Sequence, residues 1–253
     1  MAIRYHFLPD NGVRPFLIIC LPRTGSRLLV QRLDSHPDVL CHGELFNPKS
    51  PYLSRKPHLR IGTKEERDAD PWSFLQRVFV ENDGCSMVGF KIMPNHNNWI
   101  MLRLLLSRRV KKIVLTRKNW LQAYVSNQLA LQTKQYIAAT SGSAAGKAES
   151  GQPTVEIDIS AFRRYLRKVQ LFYSIVALIR LLTWQQFFPI DYSQVKDKPV
   201  SERLLDFLGV RSDVELGEQS TKLNVSSLGR KISNYAEVSA ALRGTAMEHF
   251  LDG

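Results

Sequence analysis

Phe16-Leu17-Ile18-Ile19-Cys20-Leu21-Pro22-Arg23-Thr24-Gly25-Ser26-Arg27 decides the fold. Its first six residues are a continuous apolar run, the pattern of a strand buried on both faces. Pro22 to Gly25 makes a tight turn. Ser26 to about Ser35 then has helical spacing, with Leu28, Leu29 and Leu33 on one side and Pro37 closing it. Strand, glycine turn, helix is the opening of a βαβ unit.

The same alternation recurs outward from that stretch. Val39-Leu40-Cys41 is a short apolar run leading into a turn at His42-Gly43-Glu44, and Pro48 closes the segment. Residues 49 to 72 are polar and interrupted by Pro51, Pro57 and Pro71, so they read as a surface excursion. Phe74 to Val80 is helical, Met87 to Ile92 a strand, Trp99 to Arg108 a helix, and Lys112 to Thr116 a buried strand. A helix follows from about Asn119 to Gln132. Thr140 to Pro153 is small, polar and Gly-rich, a flexible connection or lid. Ile159 to Trp184 is one long helix, and Phe187 to Tyr192 a last strand whose Pro189 places it at an edge or strand start. Ser201 to Leu208 is a helix with Ser201 as N-cap and Gly209 as stop. The tail from Gly217 onward is loop-like before short helices at Tyr235 to Leu242 and Thr245 to Leu251. The expected fold is a single domain over 1–253: a P-loop-like α/β arrangement, with a central parallel sheet flanked by helices on both faces.

Composition narrows the function. Of 253 residues, 44% are hydrophobic and 23% charged, which excludes wholesale disorder. No run reaches the roughly 18 apolar residues of a membrane span, and residues 1–10 lack a secretory pattern. Cys20, Cys41 and Cys85 are too few and scattered for a disulfide framework or zinc site, so a cytoplasmic location is expected. Thirty-five basic against 23 acidic residues give +12, a balance suited to a polyphosphate ligand, nucleic acid or an acidic membrane surface. Taken singly, the cluster Arg108-Arg109-Val110-Lys111-Lys112 reads as a solvated flank. No nucleic-acid motif is present.

The Leu21 to Arg27 turn aims backbone N–H groups and a positive helix end at one point, an anion site. Arg23 and Arg27 add bidentate donors, Thr24 and Ser26 hydroxyls. It is not a Walker A loop, which needs a second Gly followed by Lys. The plainer reading is an ordinary capped turn. At the second junction, Arg117 follows a strand, and Asn119, Ala123 and Ser126 share a helix face by their spacing. There the plainer reading is an Arg paired with a carboxylate and a packed serine.

Together the two junctions resemble the sulfotransferases that use 3′-phosphoadenosine 5′-phosphosulfate (PAPS). Three further segments are similar to bacterial carbohydrate sulfotransferases of the nodulation-factor and lipopolysaccharide type: His42-Gly43-Glu44-Leu45-Phe46-Asn47, Val88-Gly89-Phe90-Lys91-Ile92, and the tail from Lys222 to Val238. The resemblance implies that Arg23, Thr24, Gly25, Ser26 and Arg27 hold the phosphosulfate, and that Arg117 and Ser126 hold the 3′-phosphate. Lys118, eight residues before Ser126, is an alternative to Arg117. The tail from about 217 to 253, with Lys222, would close over the cofactor. The implied reaction moves a sulfuryl group to a hydroxyl of a carbohydrate or glycolipid and releases adenosine 3′,5′-bisphosphate (PAP), without metal.

In the family a Glu of the second segment is the general base, which assigns that role to Glu44. Neighbouring Arg23, Arg27 and Lys91 should keep it ionised. Arg23, where cytosolic relatives carry Lys, acts electrostatically. His42 is the alternative base or a substrate contact. Lys91, at the C-terminal end of a strand, faces the transferring group or the acceptor. Trp72, Trp99, Trp120 and Trp184 are expected in the core, as are Cys20 and Cys41. Two other classes stay open: a kinase-like phosphotransferase, and a non-catalytic binder of PAP or another anion. Peripheral contact with an anionic membrane is compatible with the charge.

Overall fold

The computed structural model describes residue 8 and residues 11–54, 59–133, 153–217 and 227–252. Lys222 and nearly all of the Thr140 to Pro153 segment lie outside the described residues. The chain forms two compact units, Met1–Thr116 with Ile175–Gln219, and Arg117–Ser174 with Ser220–Gly253.

The first unit carries a five-stranded sheet in the order β2-β3-β1-β4-β5. Its strands are β1 (Arg14–Ile19), β2 (Val39–Glu44), β3 (Met87–Ile92), β4 (Lys111–Thr116) and β5 (Phe187–Asp191). Every pairing is parallel, as the βαβ alternation requires. Pro189 sits on β5, an edge strand, where a missing N–H costs least.

Alternation along the strands sends side chains to two faces. Phe16, Ile18, Val39, Cys41, Met87, Ile113 and Leu115 pack with Leu29 and Leu33 of α1 (Ser26–Asp34) and Leu204, Leu205 and Leu208 of α7 (Lys198–Leu208). On the opposite face Phe90 meets Phe46 with ring centroids 5.8 Å apart, and Phe46 meets Phe74 of α3 (Pro71–Val80) at 6.2 Å. Helices therefore cover both faces, and the strands read as apolar runs because neither face meets water.

Several boundaries depart from the sequence reading. The polar excursion contains a helix, α2 (Lys64–Ala69), capped by a reciprocal Thr63–Glu66 box. The helix α7 starts three residues before Ser201, with Asp197 at its N-cap and Pro199 in its first turn; Ser201 is buried inside it. Lys112 is not on a solvated flank. Its ammonium is buried and donates to Ser107 O and Gln185 Oε1, and burial pushes its pKa down to about 8. Trp99 is 57% exposed and Trp184 89%, so neither is a core residue. Cys20 and Cys41 are fully buried, as expected.

The second unit is helical. Leu121, Tyr124, Val125 and Leu129 of α5 (Trp120–Thr133) pack with Phe162 and Leu166 of α6 (Ile159–Thr183). Leu228, Ile232, Val238 and Leu242, from α8 (Leu228–Lys231) and α9 (Tyr235–Leu242) with the residue between them, complete that core. The aromatic contacts Tyr124–Phe162 at 5.4 Å and Trp120–Tyr173 at 5.7 Å lie within it. Among the described residues no helix is long and apolar enough to cross a membrane.

Candidate active site

The turn after β1 is held by its own side chains and backbone. Thr24 is fully buried and its hydroxyl donates to Leu21 O at 2.8 Å. Arg23 (φ 64°) and Gly25 (φ 79°) both lie in the left-handed region. At Arg23 that conformation is uncommon for a side-chain-bearing residue, and such strain concentrates at ligand sites. At Gly25 a Cβ would stand 2.1 Å from Cδ2 of Tyr192, so only glycine fits under that ring. The same Gly25 is the N-cap of α1, and no side chain caps the helix. The start of α1 thus carries no side-chain cap, and the helix macrodipole favours an anion there.

A second feature brings a carboxylate to this turn. The strand β2 runs in register with β3 as Cys41↔Gly89 and His42↔Phe90, and then slips, so that Glu44 pairs with Lys91. Gly43 is the extra residue of a β-bulge. Tyr52 packs so closely on it that a Cβ would meet Tyr52 Cβ and O at 3.0 Å. A bulge re-aims the next side chain. Without it Glu44 would share the face of His42 and Phe90; with it Glu44 joins Lys91 on the face of α1. The expected turn at His42-Gly43-Glu44 is instead a bulged strand end.

Lys91, buried, joins the two features. Its Nζ lies 2.9 Å from Glu44 Oε1 and donates to Ser26 Oγ at 3.2 Å. Asn47 Nδ2 donates to Glu44 Oε2 at 2.6 Å, and His96 Nε2 lies 3.6 Å from that oxygen. Burial pushes the Glu44 carboxyl up. The Lys91 ammonium beside it, the Asn47 hydrogen bond and His96 together outweigh burial and hold the carboxyl below its ordinary range. The His96 imidazole is pushed down by burial and by Lys91 and Arg67, against the pull of Glu44. Arg67 fixes the segment that supplies Asn47: buried, it donates through Nη1 to Leu45 O at 2.8 Å and Asn47 O at 2.7 Å. Beside His96 opens a cleft of about 360 Å³ lined by Phe46, Pro48, Arg67, Asp68, Pro71, His96 and Asn97.

The residues singled out from sequence divide accordingly. The structure brings together Ser26, Glu44 and Lys91 and places Arg23, Thr24, Gly25 and Arg27 in the adjoining turn. It does not bring His42 into the cluster. That ring is fully buried, its Nδ1 accepts from Ser54 N at 3.0 Å, and it points away from Lys91 across the bulge. Asn47, Arg67 and His96 escaped the sequence reading. His96 had a signal, its place in the turn after β3 where open parallel sheets put ligands. Arg67 had only the capping box that betrays α2.

Arg117 and Ser126 belong to the second unit. Arg117 Nη2 donates to Gln122 Oε1 at 2.8 Å. Asn119 caps α5, accepting from Gln122 N at 2.9 Å, and ties the chain end through Phe250 O. Burial, then the Arg117 charge, hold the Lys231 ammonium below its ordinary range. Among the described residues no three His, Cys, Asp or Glu side chains cluster to hold a metal.

No family model matches the chain. It is similar to nodulation protein H of Rhizobium meliloti, 26% identical over 202 residues that cover 78% of this chain and 77% of the relative. Nodulation protein H of Rhizobium tropici is 24% identical over 254 residues, 98% and 96% of the two chains. Among solved structures, a sulfotransferase from Alicyclobacillus acidocaldarius aligns with a TM-score of 0.45 and 15% identity over 95% of this chain and 96% of that one. The motif resemblance to nodulation-type sulfotransferases is thus matched by likeness to nodulation protein H along most of the chain.

Proposed function

We propose that the chain is a sulfotransferase that moves a sulfuryl group from PAPS to a hydroxyl of a carbohydrate or glycolipid and releases PAP. The observation that carries this reading is the Glu44–Lys91–Ser26 chain, which ends at the uncapped N-terminus of α1. A base, a cation and a positive helix end within one hydrogen-bonded path are what in-line transfer to an alcohol requires.

The residues fit the donor. The N-terminus of α1, which no side chain caps, with the Arg23 and Arg27 guanidinium groups, suits the phosphosulfate end. In the second unit Arg117 and Lys231 suit the 3′-phosphate, with Ser126 as a further donor and Lys118 as the alternative cation; Lys222 keeps its proposed place in the closing tail. When bound, PAPS supplies the sulfuryl group and a phosphate as leaving group.

Glu44 then takes the acceptor proton while the acceptor oxygen bonds to sulfur and the sulfur–oxygen bond to the phosphate breaks. Its lowered pKa keeps it ionised and ready at neutral pH. Once protonated, Glu44 no longer balances Lys91, and the ammonium turns its full charge toward the turn, where negative charge grows on the leaving oxygen. Arg23 and Arg27 assist electrostatically, as positioned charges do in phosphoryl transfer. Arg67 and Asn47 hold the base in place.

Thermal-shift titration with PAP, ADP and magnesium ATP tests the reading. A ligand at 100 times its Kd adds about 2.7 kcal/mol, roughly 5 to 10 °C for a chain this long. A large PAP shift and a weak ADP shift are expected. A larger shift with magnesium ATP would favour the kinase-like class, and no shift with any nucleotide would refute donor binding.

A further inference from the structure

Ile175, Leu178 and Leu182 recur at helical spacing on the last two turns of α6, and with Leu181 they face solvent; Leu181 and Leu182 are 67% and 69% exposed. Such spacing normally marks a face packed on a core. Here the core-facing residue is Val176, buried on the other side. The helix ends at Trp184, almost wholly exposed and held at φ 54°, a left-handed conformation bulky side chains rarely adopt. Gln185 Nε2 donates to Leu106 O at 3.2 Å, which sets Trp184 beside the end of α4 (Asn98–Leu106), where Leu106 is exposed as well.

The charge around this apolar surface has one sign. Neither Asn98 to Lys118 nor Ile159 to Ile190 contains an acidic residue, while Arg108 and Arg109, just past the end of α4, are exposed. Contiguous exposed leucines are uncommon on a soluble surface and mark a partner. A tryptophan at the edge, leucines at the centre and the Arg108–Arg109 pair just past Leu106 are the composition of a surface that lies in a bilayer interface. Anionic headgroups supply the opposite charge.

We propose that this face, the end of α6 with Trp184 and the end of α4, docks the protein on an anionic phospholipid bilayer. The leucines and the indole enter the headgroup–acyl boundary, and Arg108 and Arg109 meet the lipid phosphates. Binding is peripheral and reversible. It depends on none of the residues assigned to sulfuryl transfer, so it stands or falls apart from that reading.

The test is co-sedimentation of the full chain with phosphatidylcholine vesicles and with vesicles containing about 30% phosphatidylglycerol, an anionic fraction in the range where basic surfaces bind. Expected are at least tenfold tighter binding to the anionic vesicles, loss of that gain at high salt, and a blue shift of tryptophan emission that Trp184→Phe removes. Leu178→Asp with Leu182→Asp, and separately Arg108→Glu with Arg109→Glu, should each weaken binding at least tenfold. The circular dichroism spectrum and melting temperature of these variants should match wild type, which shows that they fold. Equal binding to both vesicles, or none, overturns the proposal. So does sedimentation showing a dimer that the leucine pair dissolves, since a second copy would then own the face.

Discussion

The two strand-to-helix junctions reach the same end by different means. After β1, Gly25 caps α1 with backbone alone and no side chain closes the first turn. After β4, the Asn119 side chain closes the first turn of α5, and the cations Arg117 and Lys231 stand beside it. On the proposed reading the first junction meets the donor through the main chain and the second through side chains. That difference fixes which substitutions each tolerates: the first is sensitive to backbone geometry, the second to charge.

The largest expected effect follows from the first half of that contrast. Gly25→Ala forces a Cβ into Tyr192 and keeps a left-handed φ. Together these should destabilise the first unit by about 2 to 4 kcal/mol and abolish PAP binding. In a Tyr192→Ala background the collision disappears and only the conformational cost of about 1 to 2 kcal/mol remains. Urea melts of the single and double variants measure the split. Wild-type affinity in Gly25→Ala would show that the main chain of this turn does not bind the donor.

Next in size is Glu44→Gln, which removes a proton acceptor and leaves the turn intact. Turnover should fall about 10²- to 10⁴-fold with PAP affinity unchanged; wild-type turnover would exclude Glu44 as base. The pH profile carries a sign. Glu44 titrates below its ordinary range, so activity should hold through neutral pH and fall only in acid, below the usual carboxylate pKa. Lys91→Met removes the main opposing charge and should move that acid limb upward. Stability runs the same way. A carboxylate depressed in the fold contributes fully above its unfolded pKa near 4.5 and loses that contribution as pH falls through the lower folded value. The depressed His96 behaves alike at a higher window, losing stability as pH drops below about 6.5.

Arg117→Ala tests the other half. Losing a charge-assisted contact to phosphate costs about 1.5 to 3 kcal/mol, a roughly 10- to 100-fold loss of PAP affinity, with little change for adenosine 5′-phosphosulfate, which lacks the 3′-phosphate. If Lys118→Ala shows that pattern instead, the assignment passes to Lys118.

The sheet was legible because its strands are apolar runs with no alternation to confuse, and the β1 turn because glycine and hydroxyls at a helix start have one common use. The base could be named only through the family resemblance. Local pattern places Glu44 on the face of His42, two residues away, and a one-residue slip at Gly43 has no signature in periodicity. Likewise α2 is polar but for Ala69 and buries only Arg67, so no apolar spacing announces it. Trp99 and Trp184 mislead in the opposite direction, since large apolar residues carry no mark that distinguishes a core from a docking face.

The smallest effect discriminates the junctions most sharply. Asn119→Ala removes the cap of α5 and the tether to Phe250, so the second unit should lose about 1 to 2 kcal/mol. PAP affinity should stay within about threefold, a change of under 1 kcal/mol, because the amides that Asn119 covers are not those that meet the ligand. Asn119→Asp keeps a capping oxygen, suits the positive helix end and loses the amide donor to Phe250 O. Its stability therefore separates cap from tether. If instead Asn119→Ala tightened PAP binding, the freed amides of α5 would be taking the 3′-phosphate, and both junctions would bind through the main chain after all.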